Sequence, residues 1–491
     1  MISAWAWTLL ILAGSFQCVL GSSLYEEAAA ESKQQAPDSI PPEKPPINEP
    51  LHLTPYIKKC LYDLAKNLSK VTFFQNFTNA PAYSGYITVD NATKSNLFFV
   101  FIEAEMNKES APLLLWTQGG PGLSALFGLF LENGPVDFQG PSSITKRTNT
   151  LQKHMSVLYV DVPVGAGFSY TENGYPQTLE DVVTHEVEFL KQFLELFREY
   201  KGRKLYLAGE SYGARYSVAL ADHILQNPAE IDVCLAGVIG GNGFLGPILE
   251  TADSSEFLYE VSMLTEEGRA NFSERFELMK ELLPQARNHT GAAQYLLYLL
   301  FSTIFTNSTP TLFQNLTMYN DHASPLHTER PARLLTCYGF LNLSREFKTA
   351  IHAGENATFQ YNNPILLTTF ASDWLRDIRD MTQHVLENIR VLFYLGQIDA
   401  LFPSVKQRAH YAELDWTRSA EYKRCLRTTW KPESWRQNPY SGFAAYVKKV
   451  TNFTEAVVLG MSHYGAVEKP DEVYYLVTEF VNKSELEPKQ C

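Results

Sequence analysis

Residues 204–226 read KLYLAGESYGARYSVALADHILQ, and no other stretch limits the fold so tightly. Lys204 to Gly209 has the apolar content of a strand, Gly209-Glu210-Ser211-Tyr212-Gly213 sets two glycines around a serine, and helical text follows from about Ala214 to Gln226. Where a strand turns straight into a helix the two backbones touch, and glycines on either side of the serine remove side chains that would clash there. The helix start adds positive potential beside the serine oxygen. Glycine and serine are also common in ordinary connections, so Ser211 needs partners elsewhere in the chain before it reads as a nucleophile.

Short apolar runs recur along the chain: YSGYITV, LFFVFIEA, PLLLWT, SVLYVDV, KLYLAG, LAGVIGG, RVLFYLG and EAVVLG. Helical patterns lie between them, the clearest joining Val183, Val187, Leu190, Leu194 and Phe197 on one face. Strands alternating with helices predict an α/β fold whose mostly parallel central sheet is flanked by helices. The alternation stops between about Glu250 and Phe370, where polar text and stretches such as SERFELMKELL replace the strand signals, and it resumes at VLENIRVLFYLG. We expect one sheet interrupted by an inserted, mainly helical cap that is largely surface: core in 51–249 and 373–486, cap in 250–372, and a C-terminal tail in 487–491.

A serine nucleophile needs a base and an acid to orient it, and on such a sheet these follow in the order Ser, Asp or Glu, His. RVLFYLGQIDALF places Asp399 just past a strand, and AVVLGMSHYG places His463 just past the last one. Asp399 would equally cap the helix that follows, His463 would equally serve as a surface loop residue, and His410 also follows Asp399, within helical text. Order and position at strand ends favour Ser211, Asp399 and His463 as a set. PLLLWTQGGPGLSALFGLF offers a turn with Gly119, Gly120 and Gly122 directly after a strand, either a source of oxyanion donors or a plain tight turn.

The rest of the chain narrows the compartment. MISAWAWTLLILAGSFQCVLGSS suits a secretory signal over residues 1–21, being short for a membrane span and lacking a basic flank. Residues 22–50, rich in Glu, Ala, Gln and Pro, read as a flexible leader or propeptide. Sequons at Asn67, Asn76, Asn91, Asn271, Asn288, Asn307, Asn315, Asn342, Asn356, Asn452 and Asn482 fit a glycosylated protein of the secretory pathway, secreted or lysosomal. Cys18 leaves with the signal, and Cys60, Cys234, Cys337, Cys425 and Cys491 are an odd set allowing at most two intrachain bridges. No cysteine or histidine spacing suggests a metal, and no cofactor is expected. A net charge of -13 repels a phosphate backbone, which argues against nucleic acid as a partner. No later run is long and apolar enough for a membrane anchor, and a homodimer is compatible with the sequence.

In order along the chain, WTQGGPG, ENGP, VDVPVGAGFSY, GESYGARY, GQIDALF and GMSHYGAVEKP resemble the signature segments of the serine carboxypeptidases, from about Leu51 to Val481, and are most like the vitellogenic carboxypeptidase-like branch. The resemblance implies an α/β-hydrolase fold with the cap between nucleophile and acid. It implies an enzyme that releases C-terminal residues from peptides or proteins through an acyl-enzyme. Ser211 would be the nucleophile, His463 the base and Asp399 its orienter, with the backbone N–H groups of Gly120 and Tyr212 as the oxyanion hole. Gln118, Gly119, Glu132 and Glu210 would bind the free C-terminal carboxylate of the substrate. Two acids repel that carboxylate unless at least one is protonated, so activity is expected to be best at acidic pH. The chain departs from the pattern at Gln118 (usually Asn), Leu123 (usually Cys), Ala214, Ser217 and Val218 (usually Gly, Val and Pro) and Ala466 (usually Pro). These departures leave two other readings open: an esterase or acyltransferase on the same scaffold, or a catalytically impaired binding glycoprotein.

Overall fold

The structure, a computed structural model, describes residues 46–482 apart from 362, 439 and 440. The expected signal, most of the leader, the C-terminal tail and Cys491 lie outside the described residues. Thirteen strands occur in chain order: β1 (Lys70–Val71), β2 (Ala82–Asp90), β3 (Ser95–Ile102), β4 (Leu113–Thr117), β5 (Val136–Gly140), β6 (Ser143–Lys146), β7 (Ser156–Val160), β8 (Lys204–Glu210), β9 (Cys234–Gly241), β10 (Arg390–Gly396), β11 (Thr428–Trp430), β12 (Ala445–Val450) and β13 (Phe453–Val458). Eleven form one sheet in the order β1-β2-β3-β7-β4-β8-β9-β10-β13-β12-β11, and β5 and β6 form a separate hairpin.

The centre of the sheet, β7-β4-β8-β9-β10-β13, is parallel throughout, whereas β1, β2 and β3 on one side and β12 and β11 on the other pair antiparallel. The sheet is therefore mixed as a whole and parallel where it carries the site. The parallel strands β4, β7 and β9 are buried at every position, as strands covered on both faces must be. The side chains of β4 and β8 alternate between two apolar clusters: Leu113, Leu115, Leu205 and Leu207 lie on one face, and Leu114, Trp116, Tyr206 and Ala208 on the other.

Helix α1 (Leu179–Leu196) opens with a capping box between Thr178 and Asp181 and buries Phe189 and Phe193 against Phe99 and Phe101. Helix α2 (Tyr212–Gln226) starts directly after Ser211, two residues earlier than the sequence suggests. Between β9 and β10 the chain leaves the sheet and forms helices that include α3 (Glu266–Ala286), α4 (Thr290–Ile304) and α5 (Ala332–Leu343). Most of this insertion is exposed or half-buried, but it also contributes to the core. Phe272, Phe276, Met279, Leu296 and Leu300 are fully buried in the same cluster as the α1 and α2 side of the core, beneath a polar, sequon-bearing exterior. Helix α6 (Arg379–Asn388) returns to pack on α2, joined by His384 to Asp222 at 2.6 Å, and α7 (Pro470–Asn482) covers the opposite face beside Tyr206. Cys60 and Cys234 are disulfide-bonded, and Cys337 and Cys425 have no disulfide partner among the described residues.

Candidate active site

Ser211 sits between β8 and α2 with φ 56° and ψ -122°. A non-glycine residue held there costs of the order of 1–3 kcal/mol, so its surroundings must impose the conformation. Its N–H donates to the Gly241 carbonyl at 2.8 Å, and its own carbonyl accepts the Phe244 N–H at 3.0 Å, which fastens the turn to the end of β9. Close backbone crossings complete the constraint. A methyl group on Gly213 would lie 2.6 Å from the Thr117 carbonyl oxygen, and one on Gly119 would lie 2.7 Å from Ser211 Cβ. The N–H groups of Gly120 and Tyr212 lie beside this contact, and neither donates to a backbone carbonyl among the described residues. Tyr212 is the first residue of α2, where helix geometry leaves the N–H free for another acceptor.

Asp399 and His463 meet as the sequence suggests. One carboxylate oxygen of Asp399 accepts the N–H groups of Leu401 and Phe402, both at 2.9 Å, and the other accepts His463 Nδ1 at 2.8 Å. Asp399 thus caps its own turn and orients the imidazole with different oxygens. Burial pushes the His463 pKa down, but the charge and hydrogen bond of Asp399, with further negative potential from Glu210 and Asp321, hold it above its ordinary value. The Ser211 hydroxyl makes no hydrogen bond to His463 here; such contacts are often long in free enzymes and tighten with substrate. His410 is not part of this arrangement: it is buried, and a methyl group on Gly246 would lie 2.7 Å from its ring.

Sequence reasoning missed Asn242. Its Nδ2 donates to the carbonyls of Ser462 and His463 at 2.9 and 3.2 Å, and its Oδ1 accepts the Gly396 N–H at 2.6 Å. One side chain therefore ties the ends of β9 and β10 to the histidine turn. Its φ of 44°, in GGNGF straight after a strand, is the kind of position where asparagine tolerates a left-handed backbone.

Beside Ser211, Gln118 bridges two acids. Its Nε2 donates to Glu210 Oε2 at 3.0 Å and to Glu132 Oε1 at 3.4 Å, while its Oε1 accepts the Trp116 indole N–H at 3.0 Å. All three side chains are buried. Glu132 closes a π-helical turn, Gly128–Glu132, which Arg147 braces by donating to the carbonyls of Phe130, Gly134 and Val136. Burial, and then the neighbouring Glu210 carboxyl, push the Glu132 pKa well above the usual carboxylate range. Burial also raises Glu210, against the lowering effects of its hydrogen bond with Glu132 and of His463. The pair holds a proton at acidic pH. Gly465, in the histidine turn, faces Glu210 so closely that a methyl group there would lie 1.9 Å from Oε1.

The departures from the motif are accommodated. Ala214 packs its methyl against Gly240 and Gly243, Ser217 donates to the Gly213 carbonyl at 3.1 Å, and Val218 continues a regular, buried helix. Arg215 donates to the carbonyls of Asp373 and Arg376 at 2.9 and 2.7 Å, and the Tyr212 hydroxyl donates to Asp373 at 2.5 Å, so the first turn of α2 is clamped from the far side. Ala466 lines a cavity of about 10 Å³ behind Glu132, room for one water molecule. Leu123 donates its N–H to the Gly119 carbonyl at 3.0 Å within the glycine-rich turn.

Comparisons with known proteins identify the family and the fold. The chain is 32% identical over 448 residues to a Homo sapiens protein named "Probable serine carboxypeptidase CPVL", covering 90% of this chain and 91% of that one. It is 32% identical to the "Venom serine carboxypeptidase" of Apis mellifera, over 88% of this chain and 91% of that one, and 28% identical to the "Vitellogenic carboxypeptidase" of Aedes aegypti, over 89% and 91%. A prohormone-processing carboxypeptidase from Saccharomyces cerevisiae shares the fold, with a TM-score of 0.71 at 19% identity over 85% of this chain and 96% of that one. A family model described as serine carboxypeptidase matches residues 73–483, and this chain belongs to that family.

Proposed function

We propose that Ser211 is the nucleophile, His463 the base and Asp399 its orienter in a serine carboxypeptidase that grips the substrate's C-terminal carboxylate with Gln118, Glu132 and Glu210, beside Gly119. His463 Nε2 takes the Ser211 hydroxyl proton as Oγ attacks the scissile carbonyl carbon, and the N–H groups of Gly120 and Tyr212 receive the oxyanion. The proton passes to the leaving amine, which departs as the terminal amino acid, and water then releases the acyl-enzyme by the same route. The observation that carries this reading is the buried Gln118 bridge between two carboxyls next to the nucleophile. An esterase or acyltransferase has no need of a site that accepts a carboxylate only when it holds a proton, and the packed α2 gives no support to an impaired site.

The proposed setting is the secretory pathway, as a secreted or lysosomal glycoprotein. Asn67, Asn76, Asn91, Asn271, Asn288, Asn307, Asn315, Asn356 and Asn482 are exposed and Asn342 and Asn452 half-buried, so most sequons are open to glycosylation. Among the described residues no helix is long and apolar enough to cross a membrane.

The test incubates the full-length glycoprotein with a peptide at pH 5, with and without an organophosphonate. Labelling of Ser211 with loss of single C-terminal residues is expected. Labelling without trimming indicates ester or acyl chemistry instead, and no labelling indicates a silent site.

A further inference from the structure

Between Asn320 and Arg333 the cap lays a strap across the turn that carries His463. The Ala323 carbonyl accepts the N–H of His463 at 3.2 Å and that of Ala400, the residue after Asp399, at 3.5 Å. Asp321 Oδ1 accepts the Tyr464 hydroxyl at 2.9 Å and the Ala323 N–H at 3.0 Å. Ser324 and His327 both reach Glu468 Oε1, at 3.2 and 3.3 Å, while Glu468 Oε2 accepts the Ser462 N–H at 2.8 Å. Arg333 donates to the Val467 carbonyl. The strap closes on itself, the Asn320 N–H donating to the Thr328 carbonyl at 2.7 Å, and is fastened to the rest of the cap where His322 Nδ1 accepts the Thr306 N–H at 3.0 Å.

Two features make these contacts more than packing. One backbone oxygen, that of Ala323, joins the loops of both Asp399 and His463, so a shift of the strap moves the two together. The turn also carries Ala466 where its motif usually has proline, and so lacks a ring that would fix the backbone from within. We infer that Asp321, Ala323 and Ser324 are positioning residues for His463, making the cap a determinant of kcat as well as of substrate selection. The inference rests on the reading of His463 as the base. None of the three is assigned contact with substrate; they act through Tyr464, Glu468 and the backbone of the histidine turn.

The groups that set the charge around His463 are Asp399 from the turn after β10, Glu210 from β8, and Asp321 and His322 from the strap. Burial, with Arg330 and His463 itself, keeps His322 well below its ordinary pKa, so it faces the base as a neutral ring. Removing Asp321 takes away one of the negative neighbours that hold the His463 proton.

The test compares wild-type full-length glycoprotein with Asp321→Asn, Tyr464→Phe, their combination, and Ser324→Ala, measuring kcat, KM and the pH profile for a blocked dipeptide, with phosphonate labelling of Ser211 as a second readout. Asp321→Asn and Tyr464→Phe should each lower kcat about tenfold with KM within about twofold, because a small displacement of the base is costly. The combined variant should be no worse than the poorer single one, as expected for a shared contact. Asp321→Asn should also move the acidic limb of kcat/KM to lower pH. Should Asp321→Asn fail to fold, Tyr464→Phe and Ser324→Ala, each losing one hydroxyl, decide the matter through kcat and labelling rate. Folded variants with unchanged kcat and an unmoved acidic limb, or an effect confined to KM, overturn the strap's role while leaving the enzyme reading intact. A wild-type protein that neither labels nor trims overturns both.

Discussion

The nucleophile turn and the histidine turn are held by different means. Ser211 is fixed chiefly by main chain: β8, the start of α2 and the Gly119 turn cross so closely that no Cβ fits at Gly119 or Gly213. His463 is fixed from outside, by Asp399, by the Asn242 amide and by a strap from a separate part of the chain. The first arrangement cannot relax without unfolding part of the sheet. The second can be loosened one hydrogen bond at a time. With the roles proposed for Ser211 and His463, the difference implies graded control over the base and an all-or-none nucleophile.

Substitutions at the two turns sharpen that contrast. Gly119→Ala drives a methyl into Ser211 Cβ and should cost a hundredfold or more in kcat, on the order of an ångström's displacement of a reacting group, with a lower Tm. A Gly119→Ala enzyme within about threefold of wild type contradicts the rigid turn. Gly465→Ala, in the histidine turn, strikes Glu210 rather than the nucleophile. Its φ of 51° adds backbone strain, and it should raise KM about tenfold, well beyond any loss in kcat. A dominant kcat loss there means that the turn does not share a wall with the carboxylate grip.

Glu132→Gln keeps the shape of the protonated acid but has no proton to lose. KM in this variant should rise less between pH 5 and pH 8 than in the wild type, and an unaltered KM profile removes Glu132 from the grip. The smallest effect is expected far from both turns, at Glu186 in α1. Both of its carboxyl oxygens are buried without a partner, and burial pushes its pKa well above the usual range. The native state keeps the proton while the unfolded chain loses it above the ordinary glutamate pKa, so stability drains away as pH rises from there towards the raised native value. Glu186→Gln should therefore raise Tm at pH 7.5, leave it nearly unchanged at pH 4.5, and leave kcat alone; differential scanning fluorimetry at the two pH values decides.

Local pattern made the nucleophile turn legible, because its constraint is written in consecutive residues: Gly209, Ser211 and Gly213 between a strand and a helix. The parallel centre of the sheet was equally readable from its apolar runs. The edge strands β1, β11 and β12 are short or half-exposed and left no such runs, so they went unread, unlike β2 and β3. Asp399 and His463 could be proposed from strand ends, but the elements that hold them could not. Asn242 looks like loop text, and the strap lies in the polar stretch whose buried Phe272 and Phe276 are spaced among charged residues. The Gln118, Glu132 and Glu210 cluster gathers residues from three segments, and only the resemblance to a known family suggested that they meet.

The central claim is that a buried, proton-sharing acid pair beside Ser211 binds the substrate's terminal carboxylate. It is tested most directly by kcat and KM for a blocked dipeptide with a free C-terminus across pH 5 to 8, run beside the same dipeptide with an amidated C-terminus. KM for the free acid should rise with pH over that range, an increase that the amide does not share, while kcat separately follows the deprotonation of His463. A KM for the free acid that stays flat or falls over that range, or an equal KM increase for both substrates, contradicts the carboxylate grip.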